Sequence, residues 1–119
     1  MHCSFSRRFR RWRHAVARCR RASRREELDN SLLRIGKNGT GLTLLVEDEF
    51  LFSGPRVFDN RAYYATEGDE SDLIRWVDID NPGPPVTVVA AYVSADFELD
   101  ACGVIYADVM DSQIWRKPR

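Results

Sequence analysis

The sequence predicts a mainly β fold, a small antiparallel sandwich or barrel with an α+β arrangement as the alternative, and a basic N-terminal helix or disordered arm. Three observations point there. Pro85–Ala107 is dense in apolar and β-branched residues, Asp96–Ala101 alternates acidic with apolar residues, and turn signals recur between short apolar runs elsewhere. One length of 119 residues suits one core. The boundary falls between an Arg-rich arm, 1–27, and an acidic β-rich domain, 28–119.

Met1–Glu27 places Phe5, Phe9, Trp12, Val16 and Cys19 at spacings of four and three, one stripe of a helix, with arginines around the rest. Residues 1–25 hold ten arginines and no acid, a charge of +10, so the remainder carries −10 although the whole chain is neutral. Lys37 and Lys117 are the only lysines, a bias that GC-rich coding and a start placed too far upstream would also produce.

Leu32–Ile35 and Leu42–Val46 flank Asn38-Gly39, the strongest short hairpin signal because a type I′ turn needs positive φ at both central residues. Asn38-Gly39-Thr40 also fits a glycosylation sequon and is read as that turn. Phe50-Leu51-Phe52 is a strand that Ser53-Gly54-Pro55 ends, and Asp59-Asn60 turns the chain into a strand at Ala62–Thr66. An acidic loop, Glu67–Asp72, precedes Leu73–Ile79, which fits a strand or one helical turn. DIDNPGPP, Asp78–Pro85, is a rigid loop.

Val86–Val93 is apolar at both sets of alternate positions, which suits an inner strand. A break near Ala95–Asp96 lets the next segment return, with Asp96, Glu98 and Asp100 on its wet face. Cys102–Val109 fits either period and is assigned to a strand, since Gly103 costs a helix about 1 kcal/mol. The tail carries Ile114 and Trp115 before a basic end.

Several chemistries lack their residues. Both histidines, His2 and His14, lie in the arm, so the body holds no self-contained Ser–His or Cys–His device. Cys3, Cys19 and Cys102 are odd in number without framework spacing, which favours reduced thiols, with Cys102 buried and inert. His2, Cys3, His14 and Cys19 do not fit a zinc site, because Cys3 and Cys19 would stand about 24 Å apart along a helix. Glu67/Asp69/Glu70/Asp72, Asp78/Asp80/Asn81 and Asp96/Glu98/Asp100 are oxygen-rich, but each reads first as a hydrated surface. Tyr63, Tyr64, Trp76 and Trp115 read as core before ligand pocket. No phosphate-binding glycine loop is present, and neither a cofactor nor a metal is expected.

The composition therefore favours binding over catalysis. Arg7, Arg8, Arg10, Arg11, Arg13, Arg18, Arg20, Arg21, Arg24 and Arg25 would meet an anionic partner, nucleic acid first, with Phe9 and Trp12 stacking on bases. A membrane surface and an organelle presequence are the other readings of the arm. In the alternative, the acidic domain binds or inhibits a basic protein through Asp96, Glu98 and Asp100, as an immunity- or inhibitor-type protein does, and the arm is a dispensable leader. Self-association through the opposed charges is a further expectation, and a carboxylate-pair hydrolase has least support. Without an apolar stretch near 20 residues or a secretory signal, a soluble cytoplasmic protein is expected.

Overall fold

The computed structural model describes residues 2–5, 14–21, 29–36, 41–48 and 50–119. Among these residues the chain forms strands and no helix: β1 (His2–Phe5), β2 (His14–Arg21), β3 (Asp29–Gly36), β4 (Thr43–Asp48), β5 (Leu51–Phe58), β6 (Arg61–Glu67), β7 (Asp72–Asp78), β8 (Val86–Ala91), β9 (Val93–Asp100), β10 (Gly103–Asp108) and β11 (Gln113–Lys117). They make three antiparallel meanders, β1-β2-β3-β4, β5-β6-β7-β8 and β9-β10-β11, none closed into a barrel.

The β5–β8 sheet is the middle layer, because the centre of β6, Ala62–Thr66, is buried on both faces. Ala62, Tyr63, Tyr64 and Ala65 are all fully buried. Successive strand residues face opposite ways. Ala62 and Tyr64 accordingly pack with Val16, Leu32, Leu45, Val46, Leu51, Val77 and Ile79, towards the first sheet. Tyr63 and Ala65 pack with Ile74, Val89, Val93, Phe97 and Val104, towards the third. One strand thus serves two cores, and β5 at the edge of the same sheet contacts β2, β3 and β9.

The basic N-terminal helix is not what the described residues form. β2 pairs with β3 along its whole length, from His14↔Gly36 to Arg21↔Asp29, and β1 pairs with the far side of β2. Val16 and Ala17, adjacent in sequence, are each only 3% exposed, a pattern of a strand covered on both faces and not of one helical stripe. A ladder with β3 satisfies the backbone that a helix would have satisfied internally, and it adds burial of Val16 against Leu32. Phe9 and Trp12, two members of the expected stripe, lie outside the described residues.

The Val86–Val93 run is also placed differently. β8 is an edge strand whose Val86 is 43% exposed, and the inner strands of its sheet are β6 and β7. An apolar run reports which residues tolerate burial, not how many neighbours the strand has. The chain changes sheets at Tyr92, not near Ala95–Asp96. The Tyr92 hydroxyl donates to the Glu70 carbonyl (2.6 Å), Val93 N–H donates to Asp72 Oδ2 (3.0 Å), and Val109 N–H donates to the Tyr92 carbonyl (2.8 Å).

Ser53-Gly54-Pro55 does not end its strand. β5 continues through it with register shifts on both sides of Ser53 and a cis Gly54-Pro55 bond. Gly54 has φ 111°, and a Cβ there would lie 2.8 Å from the Tyr63 carbonyl oxygen, so glycine permits the close approach of β5 to β6. The Asp59-Asn60 turn is as read, with φ 50° and 59° joining β5 to β6 as a two-residue hairpin. β3 and β4 pair antiparallel around residues 37–40, which lie outside the described residues along with Asn38-Gly39. Leu73–Ile79 and Cys102–Val109 resolve as strands β7 and β10, and the tail supplies β11, an additional strand paired to β10.

Candidate functional site

Two charged regions stand out in the sequence, the basic residues of 1–25 and the acidic Asp96, Glu98 and Asp100. Of the basic group, Arg7, Arg8, Arg10, Arg11, Trp12, Arg13, Arg24 and Arg25 lie outside the described residues. Arg18, Arg20 and Arg21 stand on β2, an inner strand of the first sheet. Arg18 is opposite Ser4 and Leu32, Arg20 is opposite His2 and Asn30, and Arg21 is opposite Asp29. The basic segment is therefore built into the sheet through β2, whose Val16 belongs to the core.

The acidic group lies on β9, where Asp96, Glu98 and Asp100 take alternate positions. Arg56 reaches across from β5, with Nη2 2.8 Å from Asp96 Oδ2 and 3.7 Å from Glu98 Oε1. The Ser53 hydroxyl donates a short hydrogen bond to Asp96 Oδ1. Asp100 closes the β9–β10 turn: its Oδ1 accepts from the Cys102 and Gly103 amides (2.8 and 2.9 Å), and its Oδ2 accepts from Arg116 Nη2 (2.7 Å). Desolvation pushes the Asp100 carboxyl up, but the Cys102 and Gly103 amides and Arg116 together outweigh it and hold the group below its ordinary 3.8.

Each acid of the stripe thus has a cation beside it, yet Asp96 and Glu98 keep side-chain exposures of 52% and 69%. The exposed pairs of Asp96 and Glu98 with Arg56 contribute about 0.2–1 kcal/mol each, so they organise the surface more than they stabilise it. Beside them Ile105, Ala107 and Ile114 line a shallow open groove, and Ile114 is 78% exposed. Arg56 and Ser53 escaped the sequence reading because 40 and 43 residues separate them from Asp96, and no local spacing signals such a pair.

Of the other acidic groups, Asp78/Asp80/Asn81 holds a turn, and Asp72 accepts from Val93 at the crossover between sheets. Asp78 Oδ1 accepts from the Asp80 and Asn81 amides, and Asn60 Nδ2 donates to Asp80 Oδ2 at 2.9 Å. Arg34 donates to the Ile79 carbonyl at 2.9 Å, fastening the first sheet to this loop. Among the described residues no group of three or more His, Cys, Asp or Glu side chains is arranged to hold a metal ion. Nor is any helix there long and apolar enough to cross a membrane.

Cys102 corrects the expectation of a buried thiol: it is exposed, because it sits in the turn that Asp100 caps while its apolar neighbours belong to β10. The aromatic residues divide. Tyr63 and Tyr64 are core, Trp76 is partly buried under the Arg61 guanidinium at 3.8 Å, and Trp115 is 45% exposed with its indole N–H on Asp111.

The described residues form a three-layer antiparallel β protein with an ion-paired acidic strand, in a chain whose N-terminal sequence is strongly cationic. No protein-family model, curated protein or solved structure matches the chain.

Proposed function

We propose that the protein is a small non-catalytic binding protein whose Arg-rich N-terminal region contacts an anionic partner, with nucleic acid first. The observation that carries this reading is charge segregation: ten arginines and no acid in residues 1–25, interleaved with Phe9 and Trp12. Guanidinium groups pair with phosphates and release counterions, while aromatic rings stack on unpaired bases of any sequence. Attachment through β2 supports the reading, since a cationic segment tied to a folded body loses less freedom on binding than a free tail does. The test compares the full chain with a variant carrying Arg7→Gln, Arg8→Gln, Arg10→Gln, Arg11→Gln and Arg13→Gln, titrated against mixed-sequence single-stranded and duplex oligonucleotides. Binding by the full chain that the five substitutions abolish supports it; equal binding by both chains refutes it.

The second reading rests on the exposure of Asp96 and Glu98 beside Ile114 on the third sheet. An acidic rim around apolar residues suits a basic protein partner, and charge attraction would speed its capture. Arg56 and Arg116 already offset part of that charge, which ranks this reading below the first. Neutralising Asp96 and Glu98 should slow association with a basic protein, and an unchanged on-rate would remove the idea.

A further inference from the structure

We infer that Cys3 and Cys19 are a redox-active pair that closes into a cross-strand disulfide under oxidation. The observation is register: in the antiparallel pairing of β1 with β2, Cys3 and Cys19 are direct partners, flanked by His2↔Arg20 and Ser4↔Arg18. Directly opposite positions in an antiparallel pair have Cα atoms about 4.5 or 5.5 Å apart, by the kind of site, and both values fall in the range of about 4.4–6.8 Å that disulfides span. A helix through this segment would have separated the two positions by about 24 Å, so the strand structure alone brings them together.

The chemistry needs an oxidant, and a low-molecular-weight disulfide such as oxidised glutathione supplies it. One cysteine thiolate attacks a glutathione sulfur, the glutathione S–S bond breaks, and one glutathione thiol leaves. The second cysteine thiolate then attacks the mixed disulfide and releases the second glutathione thiol. The protein loses two electrons and two protons, and one oxidised glutathione becomes two reduced ones. Cys102, exposed in the β9–β10 turn, is not a register partner of either cysteine. The pair brackets residues 6–13 in the chain, so closure would make Arg7–Arg13 part of a covalent loop.

The experiment uses the full chain with Cys102→Ser, equilibrated in reduced and oxidised glutathione, trapped by alkylation and read by intact mass and non-reducing tryptic mapping. The expected product is peptide 1–7 joined to peptide 19–20. Its equilibrium constant against glutathione should be roughly 100-fold greater in native buffer than in concentrated urea, the size that closing a loop of about 15 residues contributes to a folded state. By linkage, the oxidised chain should also melt at a higher temperature than a Cys3→Ser, Cys102→Ser chain treated identically. An equal constant in urea and native buffer overturns the inference. So do separate glutathione adducts on Cys3 and Cys19, or preferred pairing of either with Cys102 in the unsubstituted chain.

Discussion

Replacing Gly103 by alanine tests the seam between β10 and β11. A Cβ at this position would lie 2.1 Å from the Lys117 carbonyl oxygen and 2.8 Å from its carbonyl carbon. Close carbon–oxygen contacts stop at about 3.3 Å, so the end of β11 must retreat by about 1 Å or more. Both obstacles are backbone, and no side-chain rotation can relieve them. The retreat strains the Val104↔Lys117 pairing and the contacts of Arg119, which donates to the Ala101 carbonyl at 3.0 Å, pairs with Asp59 at 3.1 Å and stacks on Phe58 at 3.7 Å. Overpacking costs about 1–3 kcal/mol, and a lost strand-end hydrogen bond adds about 1, for a total of about 2–4 kcal/mol. For a chain of this size that is a fall in Tm of about 10 °C. The internal control is Gly83→Ala, where a Cβ would meet nothing within 4 Å. Thermal and urea unfolding, followed by tryptophan fluorescence and circular dichroism, should put Gly83→Ala within about 0.5 kcal/mol of the original chain. Equal stability of the two alanine variants would refute the steric reasoning and the placement of β11.

Leu32→Ala removes a fully buried side chain that joins the first sheet to the middle one, and should cost about 2–5 kcal/mol by denaturant titration. Tyr63→Phe should stabilise the protein by up to about 1 kcal/mol, because the buried Tyr63 hydroxyl has no partner among the described residues; a loss of stability would reveal one. Asp100→Asn probes acid sensitivity. The folded-state pKa of Asp100 lies below its unfolded value, so its contribution is present above that unfolded value and is lost as pH falls through the folded one. The urea midpoints of Asp100→Asn and the original chain should therefore differ near neutral pH and converge below about pH 4.

Much of the β body could be read from local chemistry. Asp59-Asn60 announced its hairpin because two adjacent residues at positive φ demand such side chains, and the acid–apolar alternation of Asp96–Ala101 placed β9. Within Cys102–Val109 the residues Gly103–Asp108 form strand β10, in line with the β-branched Val104 and Ile105. Apart from Cys102, whose exposure is set by the adjacent Asp100-capped turn, the failures share a cause, since each depended on a neighbour distant in sequence. Val16 fits a helical stripe when read alone and a strand once β3 is beside it. Val86 is apolar yet lies at an edge, because strand order is set by topology and not by composition. Gln113–Lys117 carries little alternation, and the pairing with β10 makes it a strand. The acidic stripe was legible, but Arg56 and Arg116, which organise it, were not. The same holds for Cys3 and Cys19, whose relation appears only in the register of β1 with β2.

The most direct test of the central claim is a salt titration of the full chain with a mixed-sequence single-stranded oligonucleotide, followed by fluorescence anisotropy. Counterion release gives a slope of log K against log salt of about −0.7 for each phosphate neutralised. If the Arg-rich region carries binding, the slope is steep, and it shrinks by about 0.7 for each contacting arginine among Arg7, Arg8, Arg10, Arg11 and Arg13 replaced by glutamine. Affinity that stays level across the salt range, or a slope that ignores those substitutions, contradicts the claim.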